Sequence, residues 1–190
     1  EPSVHAPVDQ ARSCVNCHDP HGAVDQKLLL ADERQLCLRC HEPLDRHLAQ
    51  ARHVHRPIGD GLCTVCHEPH RSPDSRFLRY AYPRRIKLDY DPANFQLCFS
   101  CHDSGLVDAR ETSTTTSFRD GTRNLHHVHV VENGRTCRAC HDVHGSVSES
   151  LVRERLPFGS EGWEMPIEYR RAPDGGTCTL SCHVERTYRR

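Results

Sequence analysis

The chain has 190 residues, of which 36% are hydrophobic and 6% aromatic, with one Trp and a mean hydropathy of −0.71. This is too little apolar material for an ordinary side-chain core, and read as bare polypeptide the chain is marginal. A formal charge of −1 with neutral histidines offers no basic surface to nucleic acid, and the longest apolar run, Leu28-Leu29-Leu30-Ala31, is far below the roughly 18–20 residues that span a bilayer.

Six near-identical units punctuate the chain. They are Cys14-Val15-Asn16-Cys17-His18, Cys37-Leu38-Arg39-Cys40-His41, Cys63-Thr64-Val65-Cys66-His67, Cys98-Phe99-Ser100-Cys101-His102, Cys137-Arg138-Ala139-Cys140-His141 and the longer Cys178-Thr179-Leu180-Ser181-Cys182-His183. Cys-x-x-Cys-His is the attachment signal of a c-type haem. Two thiols one helical turn apart can each form a thioether to a vinyl group on one edge of a porphyrin, and the adjacent histidine then ligates the iron. The expected cofactor is therefore six covalently bound haem c groups, held by all twelve cysteines, with His18, His41, His67, His102, His141 and His183 as proximal ligands. A zinc ribbon or a disulfide scaffold would also use paired cysteines, but neither needs a histidine after every second one. The sixth unit has three residues between its cysteines, a loop that can still bulge to reach both vinyls.

Six porphyrins in 190 residues leave about 32 residues for each. The expected fold is mostly irregular, with short α-helices wrapped around a chain of six c-type haems and little or no β-sheet. Asp32 is expected to cap a helix over Glu33 to Cys40, and Asn94 one over Phe95 to Cys101. The polar segment Glu111 to Ser117 reads as an exposed loop.

A longer repeat overlies the units. His5-Ala6-Pro7-Val8, the Cys14 unit, Asp19-Pro20-His21-Gly22, a leucine-rich stretch and the Cys37 unit recur as His55-Arg56-Pro57-Ile58, the Cys63 unit, Glu68-Pro69-His70-Arg71, Phe77-Leu78 and the Cys98 unit. A third copy runs through His129-Val130-Val131, the Cys137 unit, Asp142-Val143-His144-Gly145, Leu151-Val152 and the Cys178 unit. Three double-haem modules follow, at 1–52, 53–125 and 126–190, forming one continuous haem-packed domain. The third departs from the pattern by lacking the proline after His129. Cysteine-to-cysteine steps within modules grow from 23 to 35 to 41 residues, which places insertions around Tyr80 to Pro83 and Pro157 to Pro173.

This pattern resembles the doubled-CxxCH family of multihaem cytochromes c, over nearly the whole chain. The resemblance implies maturation outside the cytoplasmic membrane, so the chain is expected to be exported to the cell surface or exterior, or else periplasmic. No charged n-region followed by an apolar stretch opens the sequence, and Glu1 is expected to follow a removed export signal.

Sixteen histidines less six proximal ones leave ten. Six are locked to the repeat: His5, His55 and His129 ahead of each module, and His21, His70 and His144 three residues past a motif histidine. Six such positions for six irons predict bis-histidine coordination throughout. His21, His70 and His144 are separated from their own proximal histidine by a rise of only about 4.5 Å on a helical turn, and the distal ligand must approach from the opposite face, so each is expected to ligate another haem. The upstream histidines can reach their own or a neighbouring haem. His47, His53, His126 and His127 read as surface or propionate-bonded histidines, although His53 or His127 can substitute for its neighbour two residues on. Met165 is the only methionine and reads as packing. Of the 25 basic residues only Lys27 and Lys87 are lysines, and several of the 23 arginines are expected to grip propionates with their planar fork.

With every iron six-coordinate, the chain is expected to transfer electrons rather than act as an enzyme. The competing class is a nitrite- or hydroxylamine-type reductase with one open iron. The layout also resembles extracellular cytochromes that polymerise into conducting filaments. On that resemblance the partners are identical subunits joined head to tail, with His5 as the expected ligand across the junction, and the alternative is a monomeric shuttle serving other redox proteins or extracellular acceptors.

Overall fold

The computed structural model describes residues 2–23, 25–159, 162–180 and 183–190. Up to about residue 152 the backbone is mostly loop and tight 3-10 turns, interrupted by short elements. These are β1 (Ser3–Val4), α1 (Glu33–Leu38), α2 (Glu42–Gln50), β2 (His53–Val54), α3 (Arg56–Gly59), β3 (Arg71–Ser72), α4 (Gln96–Phe99) and α5 (Gly105–Asp108). They continue as β4 (Arg119–Asp120), β5 (Arg123–Asn124), α6 (Leu125–His127), which runs directly into a π-helical turn at Val128–Glu132, and β6 (Gly145–Ser146). No helix among the described residues is long and apolar enough to cross a membrane.

Local chemistry explains where the helices start. The Asp32 carboxylate accepts from the Gln35 N–H at 2.9 Å and caps α1, as its sequence predicts. Ahead of α4 the cap is Asp91 instead of Asn94: it accepts from the Ala93 N–H at 2.9 Å and opens a 3-10 turn over Pro92–Phe95 that leads into the helix. Asn124 starts α6. Fully buried, it accepts from the N–H groups of His126 and His127 and donates to the carbonyls of Leu106 and Ala109.

Beyond residue 154 the fold departs from expectation. Strands β7 (Arg155–Phe158), β8 (Trp163–Ala172), β9 (Gly175–Leu180) and β10 (His183–Arg189) form a four-stranded antiparallel sheet in the order β10-β9-β8-β7. The expectation of little or no β-sheet is therefore corrected, and the insertion at Pro157 to Pro173 belongs to this sheet. Its cause is a period of two: Met165 and Ile167 are buried, while Glu164, Pro166 and Glu168 between them are exposed. The buried pair packs with Leu156 against Ile86, Val152, Cys178 and Leu180.

Tyr188 on β10 docks the sheet onto α6. Its hydroxyl lies 3.1 Å from that of Tyr169, and its ring meets Phe118 edge-on with centroids 5.2 Å apart. Phe118 in turn sits 5.1 Å from His126 and 5.5 Å from His129. This close approach needs glycine at the start of β9, where a Cβ on Gly175 would stand 1.9 Å from the Tyr188 carbonyl oxygen. Gly175→Ala is expected to cost about 2–4 kcal/mol by displacing β10 backbone, which a thermal melt of the haem-loaded protein would read.

Side-chain core is sparse. Among the described residues ten apolar side chains are buried, and residues 2–52 contribute Leu48 alone. A second small cluster, Phe95, Val107 and Val130, sits between α4, α5 and the π turn. Modules are instead tied by backbone: β1 pairs with β3 and β2 with β6, both antiparallel. The His5 N–H donates to the His70 carbonyl at 3.1 Å, and the His55 N–H to the His144 carbonyl at 3.2 Å. The segment Glu111 to Ser117 is irregular, as expected, but Thr116 within it is buried.

Candidate haem sites

Each of the first five motifs folds as one tight turn. The N–H of His18, His41, His67, His102 and His141 donates to the carbonyl of the first cysteine of its own motif at 2.9–3.1 Å. Both thiols of a motif are thereby gathered beside the histidine that follows them.

In the first motif of every module a further contact aims the ring. Nδ1 of His18, His67 and His141 bonds the carbonyl nine residues on, of Lys27 at 2.7 Å, Arg76 at 2.9 Å and Ser150 at 2.9 Å. Those three residues have φ of 64°, 60° and 56°, and Leu28, Phe77 and Leu151 after them are also left-handed. Side-chain-bearing residues adopt this region at a cost, and a strained dipeptide recurring three times at one position marks a functional constraint. It turns a carbonyl onto Nδ1 and leaves Nε2 as the nitrogen that would hold an iron.

Opposite five proximal histidines stands a second histidine with its ring plane nearly parallel. The pairs are His18 with His70 (centroids 6.2 Å apart, planes 21°), His41 with His5 (6.1 Å, 6°), His67 with His144 (6.3 Å, 13°), His102 with His55 (6.1 Å, 14°) and His141 with His126 (6.3 Å, 24°). Two imidazoles bonded to one metal from opposite sides at about 2.0–2.1 Å, each ring centre about 1.1 Å behind its nitrogen, place the centres about 6.3 Å apart. All five pairs leave that gap, so the residues fit a bis-histidine haem. Among the described residues no three or more His, Cys, Asp or Glu side chains gather as a metal cluster.

Burial acts in the same direction. It lowers the pKa of His5, His55, His141 and His144, and it brings His126 down to about 4 with help from the neighbouring His141 and His129. Neutral imidazole is the ligating form.

The pairing follows a rule. His5 and His55, ahead of a module, face the second proximal histidine of that module, whereas His70 and His144 face the first proximal histidine of the module before. Cysteines join the motifs in sequence order. Cys17 lies in electrostatic reach of Cys40, and Cys66 of Cys101, which together with burial raises the Cys17 and Cys66 thiols. Between modules the coupling is stronger: the thiols of Cys37 and Cys63 act on each other, pushing Cys37 up and drawing Cys63 down to about 7, and Cys98 is pushed up and Cys137 drawn down in the same way.

Other predicted ligands are not brought to an iron position. The His21 side chain is 95% exposed, with Asp19 beside it. His129 directs Nδ1 to the Leu125 carbonyl at 2.7 Å, next to Phe118. His183 bonds the Val184 carbonyl at 2.7 Å, and no histidine ring of the described residues stands opposite it. Cys178 lies on β9 against Leu156 and Met165, and Cys182 falls outside the described residues. His47 donates its Nε2–H to the Gly145 carbonyl at 3.0 Å, while His53 lies exposed on β2. His127 is buried with Nδ1 on the Val107 carbonyl.

His126 is the site residue that spacing did not single out. Its Nδ1 meets the Thr116 hydroxyl at 3.0 Å. The only signal was the missing proline. Pro7 and Pro57 sit in the first turn after His5 and His55 and stop a helix from extending back through them. Val131 stands in that place in module three, so the helix runs through His129 and presents His126 instead.

A family model described as the doubled CXXCH motif matches residues 5–46 and 55–106, each match starting at an upstream histidine that faces a proximal one. The match supports a multihaem c-type cytochrome-like family, with covalently bound c-type haem and a role in electron transfer. No curated protein matches the chain.

Proposed function

We propose that this chain is a hexahaem electron conduit, not an enzyme, and that it works outside the cytoplasmic membrane as a subunit of a cytochrome filament. Haem held at these motifs supplies one-electron carriers of low potential. The observation that carries the reading is the set of five histidine pairs: each closes the distal face of one motif from within the chain, which leaves no room there for a substrate. Electrostatic coupling between cysteines of successive motifs supports passage of electrons along the chain. An exposed and unmatched His21 at one end supports contact with a further copy, whereas His5, placed opposite His41, no longer serves as the junction ligand. A monomeric shuttle is the alternative outcome.

Intact mass after acid denaturation tests the reading and should exceed the polypeptide by six haem groups. A mass with five would remove the Cys178 to His183 unit. The reductase reading has one observation in its favour, the lack of a described histidine opposite His183. A high-spin iron in the native spectrum that turns over nitrite or hydroxylamine would establish it.

A further inference from the structure

The joint between modules has a donor half and an acceptor half. On the donor half, His70 or His144 faces the first proximal histidine of the preceding module, and the two residues after it form β3 or β6. On the acceptor half, β1 or β2 lies just ahead of the upstream histidine and pairs with that strand. Module one carries a donor half, His21 followed by Gly22-Ala23, and this His21 is exposed and stands opposite no proximal histidine of the described residues. Module three carries an acceptor half, but folded otherwise: the residues ahead of His129 are helical, and His126 stands opposite His141 where the rule calls for a histidine of a following module.

We propose that His126 is an exchangeable cap, and that two copies of this chain join when His21 of one replaces His126 opposite His141 of the other. One iron–imidazole bond breaks and another forms, a neutral imidazole leaving as a neutral imidazole arrives, so no proton or electron is transferred. The inference deepens the conduit reading by naming the partner as a second copy and the residues that join them.

Several features mark the capping helix as an arrangement that can be given up. Val128–Glu132 is a π turn, a rare form that is frequent at functional sites. The His129 ring takes the Leu125 carbonyl, which in a regular helix would serve the His129 N–H. Nε2 of His127 is buried without a hydrogen-bond partner, the nearest carboxylate oxygen, on Glu132, being 3.8 Å away. Opening this segment into a strand like β1 and β2 would free all three groups, give Gly22-Ala23 of the incoming copy a strand to pair with, and return His129 to the role that His5 and His55 play.

The haem-loaded full chain and its His126→Gln, His21→Gln and doubly substituted forms test this, followed by visible spectrum, carbon monoxide binding and sedimentation from dilute to concentrated solution. Dilute His126→Gln should show one more high-spin, carbon monoxide-binding iron than the unaltered chain. Concentration should convert that iron to low spin while larger species form, and adding His21→Gln should abolish both changes. An iron that stays high-spin at every concentration, or assembly that survives His21→Gln, overturns the proposal. So does a site that free imidazole restores to low spin but a second copy does not. The conduit reading fails separately, on the haem count and spin state of the unaltered chain.

Discussion

His144→Gln should turn one low-spin iron into a high-spin iron that binds carbon monoxide, and should loosen module two from module three. The ring of His144 stands 6.3 Å from that of His67, within 13° of parallel, so glutamine removes the imidazole that would be the distal ligand of that motif. The same residue lies in the joint. Its carbonyl accepts from the His55 N–H, and β6 directly after it pairs with β2. Loss of a metal bond belongs among the large single-residue effects, here about 3 kcal/mol or more. His53→Gln is the control, since His53 is exposed on β2 and faces no proximal histidine. The visible spectrum and thermal midpoint of both variants check this. A His144→Gln protein that keeps a wholly low-spin spectrum would mean that the paired rings do not mark ligation.

What the sequence made legible was the chemistry that local spacing enforces. A Cys-x-x-Cys-His unit closes one turn whatever surrounds it, as the five equivalent backbone hydrogen bonds from histidine to first cysteine demonstrate. Repeat position likewise singled out His5, His55, His70 and His144, whose rings stand opposite proximal histidines because the joints between modules are copies of one another. Legibility ended where tertiary contacts decide between alternatives. The missing proline after His129 was visible, but which histidine then faces His141 depends on the helix that grows in its place and on Thr116 and Phe118 behind His126. The sheet was in principle readable from the alternation of Trp163 to Tyr169. It was obscured because an insertion in a chain with so few apolar residues reads as loop, and because the burial of Met165 and Ile167 relies on Leu156 and Ile86, elsewhere in sequence.

The chain made without haem attachment should not fold as a unit. A folded protein of 21.7 kDa is expected to expose about 9,200 Å², whereas this chain, considered as polypeptide alone, exposes 12486 Å². Val15 and Val65, inside two of the motifs, are among the large apolar side chains left exposed. The ten buried apolar side chains of the described residues, one of them in residues 2–52, cannot offset the entropy of ordering the whole backbone. With haem present, the thioethers and the iron bonds to histidines of different modules would join segments that otherwise share short strand pairs, a few hydrogen bonds and the small clusters around Phe95 and Tyr188, so haem binding and folding are one event. The sheet β7 to β10 carries its own small cluster and is the part expected to retain some local structure. Calorimetry and amide exchange on the haem-free chain should therefore show no cooperative transition and protection confined to β7–β10. A sharp melting transition spanning the modules would overturn the view that the porphyrins form the core.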